Sequence, residues 1–333
     1  MLKIDNKITC LNDGFVQLID HMGSDHSICN AARVSYGNHK QETKHFNQYS
    51  KEDQERALEF THPLVLLKNI TNPGSLDNLS ISKAEEIAND CVEYLQRKEK
   101  EADVNLIRYL MRHRHSTPFE MVSFVFLVRC PIHVARQWMR HRTWSYNEYS
   151  TRYKPAIDSF ETTEPDAWRL QATDNKQGSK GILTADNSNN GFDGEILSDL
   201  EIQFHQEAKI LYQDRLNSGV AREQARKDLP LSTYTEFYAK VDLHNLFHFL
   251  SLRLDSHAQL EIRQYATAIA SIIKQIIPIS YQAFEDYRLN GTHFSEQEIK
   301  IIKEKLIGVG LLSEHHNYNL SKREWSEFLS KLE

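Results

Sequence analysis

Arg140-His141-Arg142, followed after seven residues by Ser150 and then by Arg152, is the densest chemical signal in the chain. Guanidinium groups present planar forks of donors that match phosphate, and a serine hydroxyl with loop amides completes an oxyanion cradle. Three arginines in so short a segment are more often a solvated helix end. Gln137, Asn147, Glu148 and Ser150 shift that balance, because they add amide, carboxylate and hydroxyl groups able to read a base or a sugar. From Arg112 to Lys154, eight Arg or Lys face only Glu120 and Glu148, although the whole chain carries a formal net charge of -6. An acidic body thus presents one basic strip, and a nucleotide phosphate is its natural guest.

Other candidates carry less. His113 and His115, in a second Met-Arg-His-Arg cluster at 111–114, alternate as on an extended segment, and no carboxylate joins them at ligand spacing. His244 and His248 stand at i, i+4, but the Glu of a zinc-protease H-E-x-x-H is missing, so no metal is expected. Arg253 falls between two apolar helical runs, where an unpaired cation is costly, which predicts an anionic partner or ligand. Cys130, before Pro131 and near His133, has the position of an activated thiol but no Asp or Asn partner, and reads as a buried hydrophobe ending a strand. Neither G-x-G-x-x-G nor a P-loop occurs, so a dinucleotide here is not held in the Rossmann manner.

The elements that must position these residues follow from pattern. "KITCLNDGFVQLIDHMG" suggests a strand, a turn at Asn12-Asp13-Gly14 and a short amphipathic piece. A Ser82–Glu85 capping box, with Ala84, Ile87, Ala88, Cys91, Tyr94 and Leu95 at helical spacing, predicts a helix. "MVSFVFLVRC" reads as a buried strand, with Pro131 opening a helix on which His133, Gln137 and Arg140 share one polar face running into the loop "TWSYNEYSTRY". Residues 162–194 read as a surface excursion. A helix through Leu197 to Leu211 ends near Gly219, and "AREQARKDLP" gives another helical piece. "HNLFHFLSLRLDSHAQLEIRQYATAIASIIKQIIP" gives two helices, the second opened by a Ser256–Gln259 capping box. Boxes at Ser295–Glu298 and Ser321–Glu324 mark a helical tail.

With 333 residues, 40% of them hydrophobic, the chain is long enough for a sizeable core. Four scattered cysteines argue against a disulfide framework and for a reducing compartment. The opening residues lack a signal-peptide apolar region, and no run approaches membrane-spanning length. The expectation is a cytoplasmic protein that binds neither nucleic acid nor membrane.

"RHRTWSYNEYS" matches the R-H-R-x7-S signature of the flavin-dependent thymidylate synthases (ThyX), and the likeness continues outside it. "HSTPFE", "PIHVARQWMRHR", "LRLDSHAQLEIRQYA" and "AARVSYG" resemble further blocks of that family, in the same order. The resemblance implies an α+β protomer, an antiparallel sheet flanked by helices, over residues 1–285, with insertions near 38–102 and 162–194 and a small helical extension at 286–333. It implies FAD as cofactor, methylation of dUMP to dTMP with carbon from 5,10-methylenetetrahydrofolate and reducing equivalents from NADPH, and a homotetramer whose sites combine chains. In that family pattern dUMP would meet Gln137, Trp138, Met139, Arg140, Glu148, Tyr149, Ser150, Thr151, Arg152 and Arg226. Arg253 would be catalytic beside the uracil ring. FAD would meet Ser35, His115, Thr117, Arg140, His141, Arg142, Thr143, Glu148, Asp242, His244 and His248. Both Arg-His clusters would serve one anionic site. Many members carry Asn where this chain has Asp242 or His248. Phe119, Trp138, Trp144 and Tyr153 are candidates for stacking on flavin or pterin. A non-catalytic nucleotide sensor, a His-rich metal hydrolase or a nucleic-acid binder each explains fewer of these blocks.

Overall fold

The computed structural model describes residues 6–35, 37, 49–62, 81–173, 176, 178–307 and 320–332. The chain opens with strands β1 (Lys7–Cys10) and β2 (Gly14–Met22), then helices α1 (Asp25–Val34), α2 (Lys51–Thr61) and α3 (Ile81–Arg112). Helix α4 (Thr117–Glu120), strand β3 (Ser123–Pro131), helix α5 (Ile132–Trp138) and strand β4 (Ser145–Glu148) follow. A hairpin of β5 (Arg169–Gln171) and β6 (Ser179–Ile182) precedes α6 (Gly194–Asn217), α7 (Arg222–Ala225) and β7 (Tyr234–Asp242). Helices α8 (Leu243–Arg253), α9 (Leu260–Ile276), α10 (Pro278–Phe284), α11 (Glu296–Ile307) and α12 (Lys322–Leu332) complete the order.

Two compact units result, one from Met1–Gly37 with His115–Gln282, the other from Asn38–Arg114 with Ala283–Glu333. The sequence suggests a boundary near 285 with 38–102 inserted into the first domain; the compact units divide the chain differently, placing 38–114 with the C-terminal helices.

The first unit is built on an antiparallel sheet of order β1-β2-β3-β7-β4. β3 shows the period of two that a strand requires: Phe124, Phe126, Val128 and Cys130 are buried and Ser123, Val125, Leu127 and Arg129 less so. Beside it β7 buries Phe237, Ala239 and Val241. α9 contributes Ile262, Tyr265, Ile269, Ile272 and Ile273 to the core, one apolar face at helical spacing. Three sequence expectations are corrected here. The piece after the Asn12–Gly14 turn is a strand, β2, whose pairing with β3 outweighs its amphipathic look. The segment after Arg142 contains strand β4, paired with β7 from Ser145↔Lys240 to Glu148↔Phe237. Gln259, not Ser256, caps α9, and no side-chain bond closes a box there.

Gly14 closes the β1–β2 turn where a Cβ would lie 1.9 Å from the Tyr265 hydroxyl and 2.6 Å from the Cys10 carbonyl oxygen. Gly14→Ala should therefore destabilise the protein by about 1–3 kcal/mol, the range for overpacking, measurable as a lower denaturant midpoint.

In the second unit α2 and α3 share a core of Tyr49, Ala57, Leu58, Ile87, Cys91, Tyr94 and Leu95. The helix expected from the Ser82–Glu85 box through Ala84 to Leu95 is present but runs on to Arg112, and the side chains of its expected capping box lie outside the described residues. Arg112 and His113 are thus a helix end, not an extended segment. Arg112 pairs with Glu324 at 3.2 Å and Glu327 at 2.7 Å, and His113 with Glu327 at 3.0 Å. Within the first of the two clusters expected to serve one anionic site, Arg112 and His113 are thus met by carboxylates more than two hundred residues away in sequence. The boxes at Ser295–Glu298 and Ser321–Glu324 form as expected.

Candidate active site

β3 ends at Pro131, whose fixed backbone N-caps α5. α5 is short. Its C-cap is Met139, so Gln137 lies on the last turn and Arg140-His141-Arg142 lie beyond it, in the link to β4, rather than on one helical face with His133. Beneath this link sits an aromatic cluster: Trp138 stacks on Phe249 at 5.0 Å and meets Phe237, Trp144 and Tyr265 edge-on. Strand β7 leads straight into α8 through Asp242, whose carboxylate accepts from the Asn245 backbone N–H at 2.9 Å. Arg253 is the last residue of α8.

There α8 meets the α5–β4 link. Arg253 Nε donates to His141 Nε2 at 3.0 Å, and its Nη2 donates to the Gln137 carbonyl oxygen at 3.2 Å. Among the described residues no carboxylate pairs with Arg253, Arg140 or Arg142. Of the anionic partner or ligand that the position of Arg253 predicts, the described residues supply no partner, only neutral acceptors. Burial, and then the nearby Arg140, push the Arg253 pKa downward, yet guanidinium keeps its proton at any working pH. A partly desolvated cation, fixed by an imidazole and a carbonyl and short of counter-charge, is a site for an anion or for developing negative charge.

His141 can accept that hydrogen bond only while neutral. Burial foremost, then Arg253 and His248, lower its pKa from 6.5 to about 4. The sign follows from linkage: between about 6.5 and 4 the unfolded chain binds the proton and the folded chain does not, so stability falls as pH drops through that window. His141→Gln should remove this component, read as a flatter dependence of denaturant midpoint on pH between 6.5 and 4.

Downstream of β4, the turn at Ser150–Lys154 is tied to the segment around α7. The Thr151 hydroxyl accepts from Arg226 Nη1, the Tyr153 carbonyl from Arg222 Nη1 at 3.4 Å, and Arg152 Nη2 lies 3.4 Å from Glu223. The Ser150 hydroxyl accepts from the Arg152 N–H at 3.4 Å. Two separated stretches are thus brought together, Arg226 meeting Thr151 between Ser150 and Arg152. Arg222 and Glu223 were not anticipated. Arg222 stands four residues before Arg226 on the same helical piece, which was the available signal.

The family model described as thymidylate synthase complementing protein matches residues 17–279. The protein named flavin-dependent thymidylate synthase of Thermus thermophilus is 43% identical over 296 residues, covering 89% of this chain and 84% of its own. That of Wolbachia pipientis is 38% identical over 323 residues, covering 97% and 91%. The chain belongs to the flavin-dependent thymidylate synthase family. Among solved structures, the UMP/dUMP methylase PolB of Streptomyces cacaoi bound with 5-Br UMP is similar at a TM-score of 0.59 and 28% identity, covering 83% of this chain and 96% of its own. Its complex with 5-Br dUMP gives 0.58 and 30%.

With the family shown, the α+β fold with its antiparallel sheet stands, and all the residues singled out for dUMP or FAD fall in the first unit. Ser35 caps the end of α1, Thr117 opens α4 just after His115, and all three are exposed. Arg142, Thr143, His244 and His248 are exposed, and His248 lies edge-on to His141 at 6.1 Å. Glu148 at the end of β4 accepts from the Thr235 hydroxyl at 2.7 Å, and the Tyr149 hydroxyl donates to the Pro155 carbonyl at 2.7 Å. Asp242 spends its carboxylate on Asn245, through Nδ2 as well as the backbone. The stacking candidates are corrected: Phe119, Trp138 and Trp144 are buried core, and only Tyr153 is exposed. Trp138 can therefore offer a ligand its backbone but not its ring. Cys130 is fully buried and its thiol is pushed well up by desolvation, the state of an inert core residue.

Gln259, read from the sequence only as part of a capping box, meets Gln137. Its Oε1 accepts from Gln137 Nε2 across the gap between α5 and the α8–α9 corner.

Proposed function

We propose that this enzyme methylates dUMP to dTMP, with 5,10-methylenetetrahydrofolate as carbon donor and NADPH as reductant, FAD mediating between them. The observation that carries the reading is the Arg253 guanidinium, oriented by neutral His141 and the Gln137 carbonyl with no carboxylate paired to it among the described residues. The names of the relatives and the uridylate analogues bound to PolB support it.

The residues present fit an anionic dinucleotide. Arg140 and Arg142, on either side of His141, have no ion pair among the described residues, and Ser35, His115, Thr117, Thr143, His244 and His248 are exposed polar groups that would hold FAD. FAD, when bound, supplies the reducing equivalents that NADPH delivers. The protein's own part is binding and charge. Ser150, Arg152 and Arg226 would grip the dUMP phosphate, and Gln137 would orient the nucleotide. Arg253 would stabilise negative charge on the N3 and carbonyl side of the uracil as the ring becomes nucleophilic. Met139, Glu148, Tyr149 and Thr151 would complete the dUMP walls. We infer a homotetramer with sites shared between chains, and a cytoplasmic setting in keeping with four buried cysteines that form no disulfide. No described helix is long and apolar enough to cross a membrane.

Anaerobic turnover with FAD, dUMP, methylenetetrahydrofolate and NADPH tests the proposal: dTMP with tetrahydrofolate is the expected pair of products, and bound flavin without dTMP would overturn it. Ser150→Ala and Arg152→Ala should each weaken dUMP binding about tenfold, since a hydrogen bond to a charged group contributes about 1.5–3 kcal/mol. Unchanged dUMP affinity in both, by calorimetry, would place the phosphate elsewhere.

A further inference from the structure

A cavity of about 500 Å³ lies between the β5–β6 hairpin and the α8–α9 corner, within the first unit. The hairpin lines it with Arg169, Gln171 and Lys180, the corner with His257, Gln259 and Arg263. Its charges do not balance. Arg169 is met by Glu261 at 2.6 Å and His257 by Asp255 at 2.8 Å. Arg263 donates to the Ser256 carbonyl at 2.9 Å and lies within the electrostatic reach of Asp255, but neither it nor Lys180 has an ion pair among the described residues. Two cations thus face a volume within the range of small-ligand sites. No Phe, Tyr or Trp lines it. The walls therefore suit a flexible acidic chain and give no stacking surface to a flavin, pterin or base.

Position adds the second argument. Gln259, which lines the cavity, receives the Gln137 side-chain hydrogen bond. The cavity is thus one side chain away from the residue proposed above to meet dUMP.

We propose that this cavity binds the anionic tail of a co-substrate, either the glutamyl carboxylates of the folate or the 2′-phosphate of NADPH, through Lys180 and Arg263. The inference rests on the proposed reaction for the identity of the co-substrates, but its binding test does not.

The experiment compares Lys180→Ala, Arg263→Ala and the double variant with wild type, using Arg263→Lys as the conservative control. Calorimetric titration with p-aminobenzoyl-triglutamate and with adenosine 2′,5′-bisphosphate reads the cavity without any turnover. One of the two fragments should bind about tenfold more weakly in each alanine variant, the loss of one charge-assisted hydrogen bond, with recovery in Arg263→Lys. In steady state, the same variants should raise KM for triglutamyl but not monoglutamyl methylenetetrahydrofolate if the source is folate, or for NADPH but not NADH if it is the 2′-phosphate, with KM for dUMP unmoved. Equal binding of both fragments by wild type and double variant would overturn the proposal. Absence of dTMP from wild type, with the fragment result intact, would instead count against the reaction and leave the anion site standing.

Discussion

Arg253→Ala should lower turnover by about 10²–10³-fold, the loss seen when one preorganised donor to developing charge is removed, while flavin binding is retained. The guanidinium lies at the end of α8 with Nε on His141 and Nη2 on the Gln137 carbonyl. Both acceptors are neutral, so the positive charge is oriented but not compensated. An anion forming on the uracil ring would supply the counter-charge that no described carboxylate gives it. Because the benefit arises chiefly as that charge forms, kcat and kcat/KM should fall together, with a smaller change in dUMP affinity. Arg253→Lys keeps a cation but loses the planar fork that spans His141 and Gln137, and should recover only part of the rate. Rapid-mixing measurement of flavin reoxidation under anaerobic conditions, beside equilibrium dUMP binding, separates these outcomes. Normal turnover in the alanine variant would remove Arg253 from the mechanism.

Glu324→Gln should destabilise the protein by about 3 kcal/mol, the lower end for removing one partner of a buried ion pair. Glu324 is 6% exposed and accepts from Arg108 Nε at 2.7 Å, Arg112 Nη1 at 3.2 Å and the Tyr287 hydroxyl. It also accepts from the Ser321 N–H at 2.7 Å at the start of α12. An amide would leave two half-buried guanidinium groups short of charge, although Asp286 and Glu327 still hold one contact to each. That remaining pairing places the expectation at the lower end. Burial alone would raise the Glu324 carboxyl, but the hydrogen bonds from Tyr287, Ser321 and Arg108 outweigh it and hold it at about 2, below 4.5. The sign is opposite in cause to that of His141 but alike in direction: the stabilisation is complete above 4.5 and lost as pH falls through about 2. Urea denaturation of wild type and variant at pH 7 and pH 3 should show the difference shrinking at the lower pH. Equal midpoints at pH 7 would mean that the cluster contributes nothing net.

Sequence by itself determined the local elements and the chemical inventory. β3, the Pro131 helix start, the helices around Gly219 and Pro278 and the two tail capping boxes were legible because each depends on neighbours within a few residues. The R-H-R-x7-S block and its companions identified the family, and Cys130 could be set aside as a buried strand end. β7 escaped notice although Phe237, Ala239 and Val241 alternate with Glu236, Tyr238 and Lys240, since Ala239 weakens the apolar rhythm. β4, Ser-Tyr-Asn-Glu, has almost no intrinsic strand character and is a strand only because β7 offers it a paired edge.

Tertiary structure alone decided what the charged residues do. Two Met-Arg-His-Arg segments look alike in sequence. In one, Arg112 is neutralised by Glu324 and Glu327 from the far end of the chain; in the other, His141 lends its lone pair to Arg253 and leaves the cation available. Trp138 and Trp144 became core rather than stacking surface, and Gln259 became a partner of Gln137 rather than part of a capping box. The physical reason is range: helix and strand propensities act over a turn or a pair of residues, whereas desolvation and charge compensation depend on whichever groups folding brings within a few ångströms.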